Sequence, residues 1–251
     1  MGNNQTFVLQ EVIDELVNAD KTLMGPLMKL SYFGRLIKNQ ELIDYCSFEI
    51  NGYKPEVSQV PDYRRLPIML KIDLQVGYQI FPNKDLPLSM VPNPWRDLML
   101  NTSIKEGIAA IEKNVKQDGV KSGDPLIFPI AMEILPDLQD ATRKLYKSYD
   151  SVGAVGAHLE GNSNKLIQIL SAVRERLLEL VMKIGEQFGF DVAINSFRQN
   201  QDTNNQIIHN YITSIANTGH GNIVNTGNKV DMSAKTQIEQ GNVIEKTDTK
   251  F

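Results

Sequence analysis

Apolar residues recur along this chain with two different periods, and the changes of period divide it. Leu9, Val12, Ile13, Leu16 and Val17 keep the i, i+3, i+4, i+7, i+8 spacing of a one-striped helix, which predicts an amphipathic helix over 6–19. A second helix is expected over 20–38. Its regular part begins near Gly25, because Pro26 is tolerated only in a first turn. Leu30, Phe33, Gly34 and Ile37 form its inner face. A third helix is predicted over 40–50, closed by Asn51-Gly52. The period then shortens to two. Ile68, Leu70, Ile72, Leu74 and Val76 alternate with Met69, Lys71, Asp73 and Gln75, the signature of a strand within 66–79.

The middle of the chain is less regular. Residues 82–85 and 91–94 read as turns, and a short helix is expected over 104–114. Pro125, Pro129 and Pro136 suggest a broken helix over 124–147, and the Gly/Ala-rich 151–161 a strand or loop. Helical period returns over 163–188, with Ser163 as the expected cap. Leu166, Leu170, Val173, Leu177, Leu180 and Ile184 recur at four–three–four–three–four, a heptad seam. Such a stripe suits a helix buried in its own domain or one that joins subunits. Glu179 and Lys183 stand at i, i+4, the spacing of a helix-surface ion pair.

From Asn195 the composition shifts to Asn, Gln, Thr and Gly, with too few apolar residues to order a separate core. The segment is nonetheless patterned. Asn217-Thr218-Gly219 returns as Asn225-Thr226-Gly227, and Gly221-Asn222-Ile223-Val224 is echoed by Gly241-Asn242-Val243-Ile244. Val230, Met232, Ala234, Thr236 and Ile238 alternate with polar residues. This predicts short strands with Asn-Gly turns, held by amide ladders between neighbouring copies rather than by a core. Asn217, Gly219, Asn222, Asn225, Gly227, Val230, Met232, Ile238 and Asn242 are the expected stacking positions. The expected fold class is α+β: a mostly helical body over 1–190 with a small antiparallel sheet and a long heptad-like helix, then a β-rich repeat tail over 191–251.

Composition narrows the chemistry. The net charge of −4 comes without a basic stripe, so nucleic acid is not expected as a partner. Cys46 is the single cysteine. No disulfide can form within the chain, and a reducing, cytoplasmic setting is expected, with Cys46 itself read as a buried hydrophobe. No run approaches a membrane span and no signal peptide is recognised. His158, His209 and His220 are scattered, and no HExxH, P-loop or G-x-S-x-G motif occurs, so no catalytic residue, metal or cofactor is assigned. Asp137 with Asp140, and Glu175 with Glu179, read as solvated helix faces.

One polar stretch stands out: Glu49-Ile50-Asn51-Gly52-Tyr53, followed by Pro61-Asp62-Tyr63-Arg64. The residues themselves suggest a helix C-cap at Gly52, Tyr53 packed back on the helix, and a turn opened by Pro61. Asp62 and Arg64 flank Tyr63, and an Arg–carboxylate pair there would be bidentate if well placed. A recognition site of Tyr53, Asp62, Tyr63 and Arg64 is the functional alternative. The run ELIDYCSFEINGY…VPDYR resembles the AbiTii-type domain of abortive-infection proteins, in which an E-x-N-G-Y helix end precedes a P-D-Y-R turn. LMKLSYFGRLIKNQEL resembles that family's preceding helix, and LIQILSAVRERLLELVMKI its downstream one. The bulky residue, often Trp, that the family places before the helix end is Tyr45 or Phe48 here. The resemblance is clear over 20–66, weaker to about 188, and does not reach the tail.

It implies defence against bacteriophage and carries no active site across. With the tail pattern, it leads to the expectation of a self-assembling, non-catalytic defence protein whose partners are its own copies and an unidentified phage or host trigger. Two alternatives stay open: an abortive-infection toxin with a dispersed, nuclease-like active site, and a monomeric module whose tail adds strands to a partner's sheet.

Overall fold

The computed structural model describes residues 5–54, 60–116, 121, 123–148 and 151–217, with side chains given to residue 213. It is an α+β fold with two apolar centres. Three helices open it: α1 (Gln10–Val17), α2 (Met24–Ile37) and α3 (Gln40–Asn51). They are preceded by a three-residue strand, β1 (Thr6–Val8). The expected first helix thus loses its start. Phe7 is buried in a strand that pairs antiparallel with β6 (Asp191–Ala193), with Phe7 opposite Val192.

The sheet follows. β2 (Met69–Val76) and β3 (Gln79–Asp85) form a hairpin, so residues 82–85, expected as a turn, lie in a strand, and the reversal is made at Gly77 with φ +58°. Next come α4 (Trp95–Leu100), α5 (Ile108–Lys116), β4 (Pro125–Pro129), α6 (Leu135–Leu145) and β5 (Val152–Asn162). The strand order is β3-β2-β5-β4, antiparallel throughout. Here the proline-based expectation of a broken helix over 124–147 is half wrong. Pro125 and Pro129 bracket an edge strand, where a missing N–H costs no ladder bond, while Pro136 opens α6 in its first turn. Both sheet edges carry proline, since Pro82 lies in β3 beside left-handed Asn83, and such edges resist further strand pairing.

Leu70, Ile72, Leu74, Ala154 and Leu159 face α6 and make the smaller core with Leu135 and Leu138. Gln139 fixes this packing. Its side-chain amide donates to Ala154 O (2.8 Å) and accepts from Ala154 N (3.0 Å), next to the register shift between β2 and β5.

The larger core surrounds α7 (Asn164–Phe188). Leu166, Val173, Leu177, Leu180 and Ile184 are buried in one core with residues of α1, α2, α3 and α5, with Leu170 half-buried beside them. The heptad stripe is therefore occupied inside the subunit. Ser163 does not cap α7. Asn162 Oδ1 accepts from Asn164 N (2.9 Å), and Ser163 Oγ donates to Lys121 O (2.8 Å). Two other side chains close helix ends from afar. Arg174 Nη1 donates to Leu16 O (2.8 Å) and Asn18 O (3.0 Å) beyond α1, and buried Glu112 accepts from Leu23 N (2.8 Å) at the start of α2.

The chain from 194 to 217 is helical: α8 (Ile194–Gln199) and α9 (Gln201–Asn217). This corrects the expectation of strands from Asn195. Ile194, Phe197, Ile208 and Tyr211 enter the large core, so few apolar residues suffice when another element supplies the opposite wall. Asn217, expected to stack, is the last residue of α9. Gly219, Asn222, Asn225, Gly227, Val230, Met232, Ile238 and Asn242 lie outside the described residues.

Candidate functional site

The stretch singled out in the sequence converges on one carboxylate. Tyr45 and Glu49 lie one turn apart on α3, and Tyr53, four residues further and just past the helix end, turns its hydroxyl back to Glu49. The helix stops at Gly52, whose φ of +90° continues the chain sideways; a Cβ there would stand 2.6 Å from Lys105 O. Tyr53 N donates to Lys105 O (2.8 Å), and the Tyr53 ring stacks on Phe48 at 5.5 Å. The segment Pro61–Arg64 then forms a 3-10 turn that inserts Arg64 into the protein.

Glu49 and Arg64 side chains are both 0% exposed and form a bidentate pair. Arg64 Nη2 lies 2.6 Å from Glu49 Oε2, and Arg64 Nε lies 3.3 Å from Oε1. Oε1 also accepts the hydroxyls of Tyr53 (2.6 Å) and Tyr63. Arg64 Nη1 donates to Ile104 O (3.0 Å) and Glu106 O (2.8 Å), so six donated bonds hold the pair. The guanidinium stacks over the Tyr53 ring (4.8 Å), and Arg176 of α7 covers the ring of Tyr63 (4.6 Å). Tyr45 completes the cluster. Its hydroxyl is buried without a well-formed hydrogen bond, although Tyr63 and Glu49 lie near enough to perturb it.

The bidentate pair expected in this motif exists, but its acid is Glu49. Asp62 bonds instead to exposed Arg65 (2.8 Å). Asn51 is exposed and donates back to Ser47 O (3.0 Å). Of the expected residues, Glu49, Gly52, Tyr53, Tyr63 and Arg64 are brought together around one point, with Pro61 setting the turn, while Asn51 and Asp62 point away. Tyr45, Arg176 and the 104–106 carbonyls were not anticipated. The four-residue spacing of Tyr45, Glu49 and Tyr53 is the signal that carried the first of these.

Electrostatics follow from enclosure. Burial, then the charge of Glu49, pushes the Tyr53 and Tyr63 phenols above the ordinary range; burial, then Tyr63, does the same to Tyr45. Burial alone would weaken Arg64 as a cation, but Glu49 beside it raises its pKa on balance. Cys46 is buried on α3, and burial raises its thiol far from the thiolate a nucleophile needs. The cluster holds a charge pair whose two side chains are both 0% exposed. Among the described residues, no group of three or more His, Cys, Asp or Glu side chains is placed to hold a metal ion.

Surface concavity lies elsewhere. A groove of about 650 Å³ runs between the C-terminal half of α7 and α9. Its walls carry Lys183, Glu186 and Gln187 on one side and Thr203, Gln206, Ile207 and Asn210 on the other. Tyr211 closes the floor. Its hydroxyl donates to Glu179 (2.7 Å), and Lys183 sits over its ring (5.1 Å), so the ring lies between the two residues expected to pair.

Comparison with known families matches the AbiTii family model to residues 8–210. No curated protein and no solved structure matches the chain. The match includes the buried cluster, the sheet, α7 and most of α9, and stops short of the amide-rich repeats.

Proposed function

The chain belongs to the AbiTii family, whose members are tied to abortive-infection defence against bacteriophage, and from that premise we propose that it acts by self-assembly through its tail, without catalysis. The observation that carries this reading is the closure of the Glu49–Arg64 cluster. The densest convergence of ionisable groups among the described residues is 0% exposed at both charged side chains, so it serves to lock α3, the 61–64 turn and the 102–107 loop together. The body so locked carries 218–251, whose repeats suit stacking between copies. In this reading phage infection, or a host partner that senses it, triggers assembly.

The test keeps the body intact. Full-length protein and a Val230→Asp, Ile238→Asp variant are compared by light scattering and negative-stain microscopy. Charges buried between stacked strands oppose ladder formation. The wild type is expected to form large particles with rising concentration and the variant to remain small. Equal particle sizes for the two proteins would defeat the reading.

A further inference from the structure

We propose that the end of the sheet bearing Tyr78 docks on the surface of an anionic lipid bilayer. The contact is peripheral: among the described residues, no helix is long and apolar enough to cross a membrane. The docking stands on this surface alone and does not depend on the assembly reading.

Two features meet at that end. The first is an apolar tip. All seven residues of β3 are exposed. At the turn from β2, Tyr78 is fully exposed, and Ile80 and Phe81 follow at 60% and 39%. Their faces differ. Ile80 pairs with Gln75, whereas Phe81 pairs with Leu74, on the side that α6 covers. From Tyr78 to Phe81 the strand rises about 10 Å, comparable with the ~5–10 Å to which interfacial elements enter a bilayer.

The second is charge. Gly77 N donates to Ser151 O (2.9 Å), Val76 pairs with Val152, and Arg143 Nε near the end of α6 donates to Val152 O (3.3 Å). The end of α6 therefore stands beside the β2–β3 turn, and the Tyr146 hydroxyl ties it to Asp85 O in β3. This brings exposed Arg143, Lys144 and Lys147 to the same end of the sheet as exposed Lys84. Arg143 and Lys147 line one concavity of about 360 Å³ with Ser148 and Ser151. Guanidinium, ammonium and hydroxyl groups of this kind suit the oxygens of a headgroup phosphate. The acids nearby are engaged. Asp85 is paired with Lys71 (2.6 Å), Asp73 accepts from Asn83 N (3.3 Å), and Asp140 lies 4.0 Å from Arg143. Lys84, Lys144 and Lys147 have no ion pair among the described residues.

The arrangement favours a bilayer over other partners. Pro82 and left-handed Asn83 spoil β3 as a template for an added strand. Single-stranded nucleic acid stacks its bases on a platform of rings. Here apolar side chains stand at the tip and on both faces, which suits a tip entering the interface with its cations at headgroup level.

The test floats the full-length protein with vesicles of phosphatidylcholine and phosphatidylglycerol in equal parts, and with vesicles of phosphatidylcholine alone. Flotation separates docked protein from self-assembled particles, which sediment. Binding to the anionic vesicles is expected to be at least about tenfold tighter. Tyr78→Ser with Ile80→Ser should weaken it at least about tenfold. Lys144→Gln with Lys147→Gln should weaken it about fivefold for each charge removed. Ile127→Ser, an equally exposed position on the opposite edge strand, should leave it unchanged. All these positions are exposed, and each variant is read once its thermal unfolding matches the wild type. Failure to float, equal binding to the two kinds of vesicle, or anionic binding that survives the Tyr78→Ser, Ile80→Ser change overturns the proposal. Tip-dependent binding of a single-stranded oligonucleotide without flotation also overturns it and assigns the surface to nucleic acid.

Discussion

A glutamate, a cation and tyrosine meet at two places in this body, in opposite surroundings. Around Glu49, Arg64, Tyr53 and Tyr63 every polar atom is turned inward, and both charges are out of water. Beside the groove, Glu179 and Lys183 are exposed and the Tyr211 they both contact is buried. The groups are similar and the roles differ, because solvent sets what an ionic contact is worth. A buried pair cannot lose one partner without leaving an uncompensated charge, whereas an exposed one exchanges its partner for water at little cost. The first arrangement fixes a fold. The second leaves an exposed surface.

Removing one charge from each place gives the widest contrast. Arg64→Met leaves Glu49 buried and unpaired, and is expected to cost about 3–5 kcal/mol, measured by urea denaturation. For a body of ordinary stability this removes much of the folded population. Lys183→Met should change stability by less than about 0.5 kcal/mol in the same experiment. Similar losses for the two variants would erase the distinction drawn here.

Alkaline pH probes the enclosed phenols of both places, with a smaller effect. Folded-state pKa values of Tyr45, Tyr53 and Tyr63 lie above those of an unfolded chain because of burial and the nearby Glu49 charge. Their contribution to stability is therefore complete below pH about 10 and falls as pH rises from there toward the folded values. The slope is about 1.4 kcal/mol per pH unit for each such phenol. Tyr211, raised by burial and by Glu179, adds one more of these groups. Tyr53→Phe should lower the slope between pH 10 and 11 by one group's share while leaving its sign unchanged. A flat profile through this window would mean that the cluster is open to water.

The sequence disclosed those parts of the fold in which a local pattern and the tertiary demand agree. The stripe of α7, the alternation of β2 and the Asn51-Gly52 stop of α3 belong to that set. Pro125 and Pro129 misled because proline breaks a helix but is harmless on a sheet edge, and whether a strand is an edge is decided by its neighbours. The amides of α9 concealed Ile208, Tyr211 and Ile212, whose i, i+3, i+4 spacing is helical and whose opposite wall is α3 and α7. For the cluster, Gly52 and the aromatic anchors were legible from cap and turn chemistry. The partner of Arg64 was not. Asp62 is close in sequence, yet the 3-10 turn sends Arg64 inward to Glu49 and leaves Asp62 for exposed Arg65.

The central proposal is that Glu49 and Tyr53 of the E-I-N-G-Y segment and Tyr63 and Arg64 of the P-D-Y-R segment form an interior clasp and take no part in recognition or chemistry. The decisive measurement is phage plating on cells carrying the Glu49→Leu, Arg64→Met double variant, after its folded state has been verified by thermal unfolding. Replacing a buried ion pair by apolar side chains of similar size is often close to neutral for stability. The account predicts that this variant folds and protects cells as the wild type does, where Arg64→Met alone fails at both. A double variant that folds like the wild type and gives no protection would contradict it.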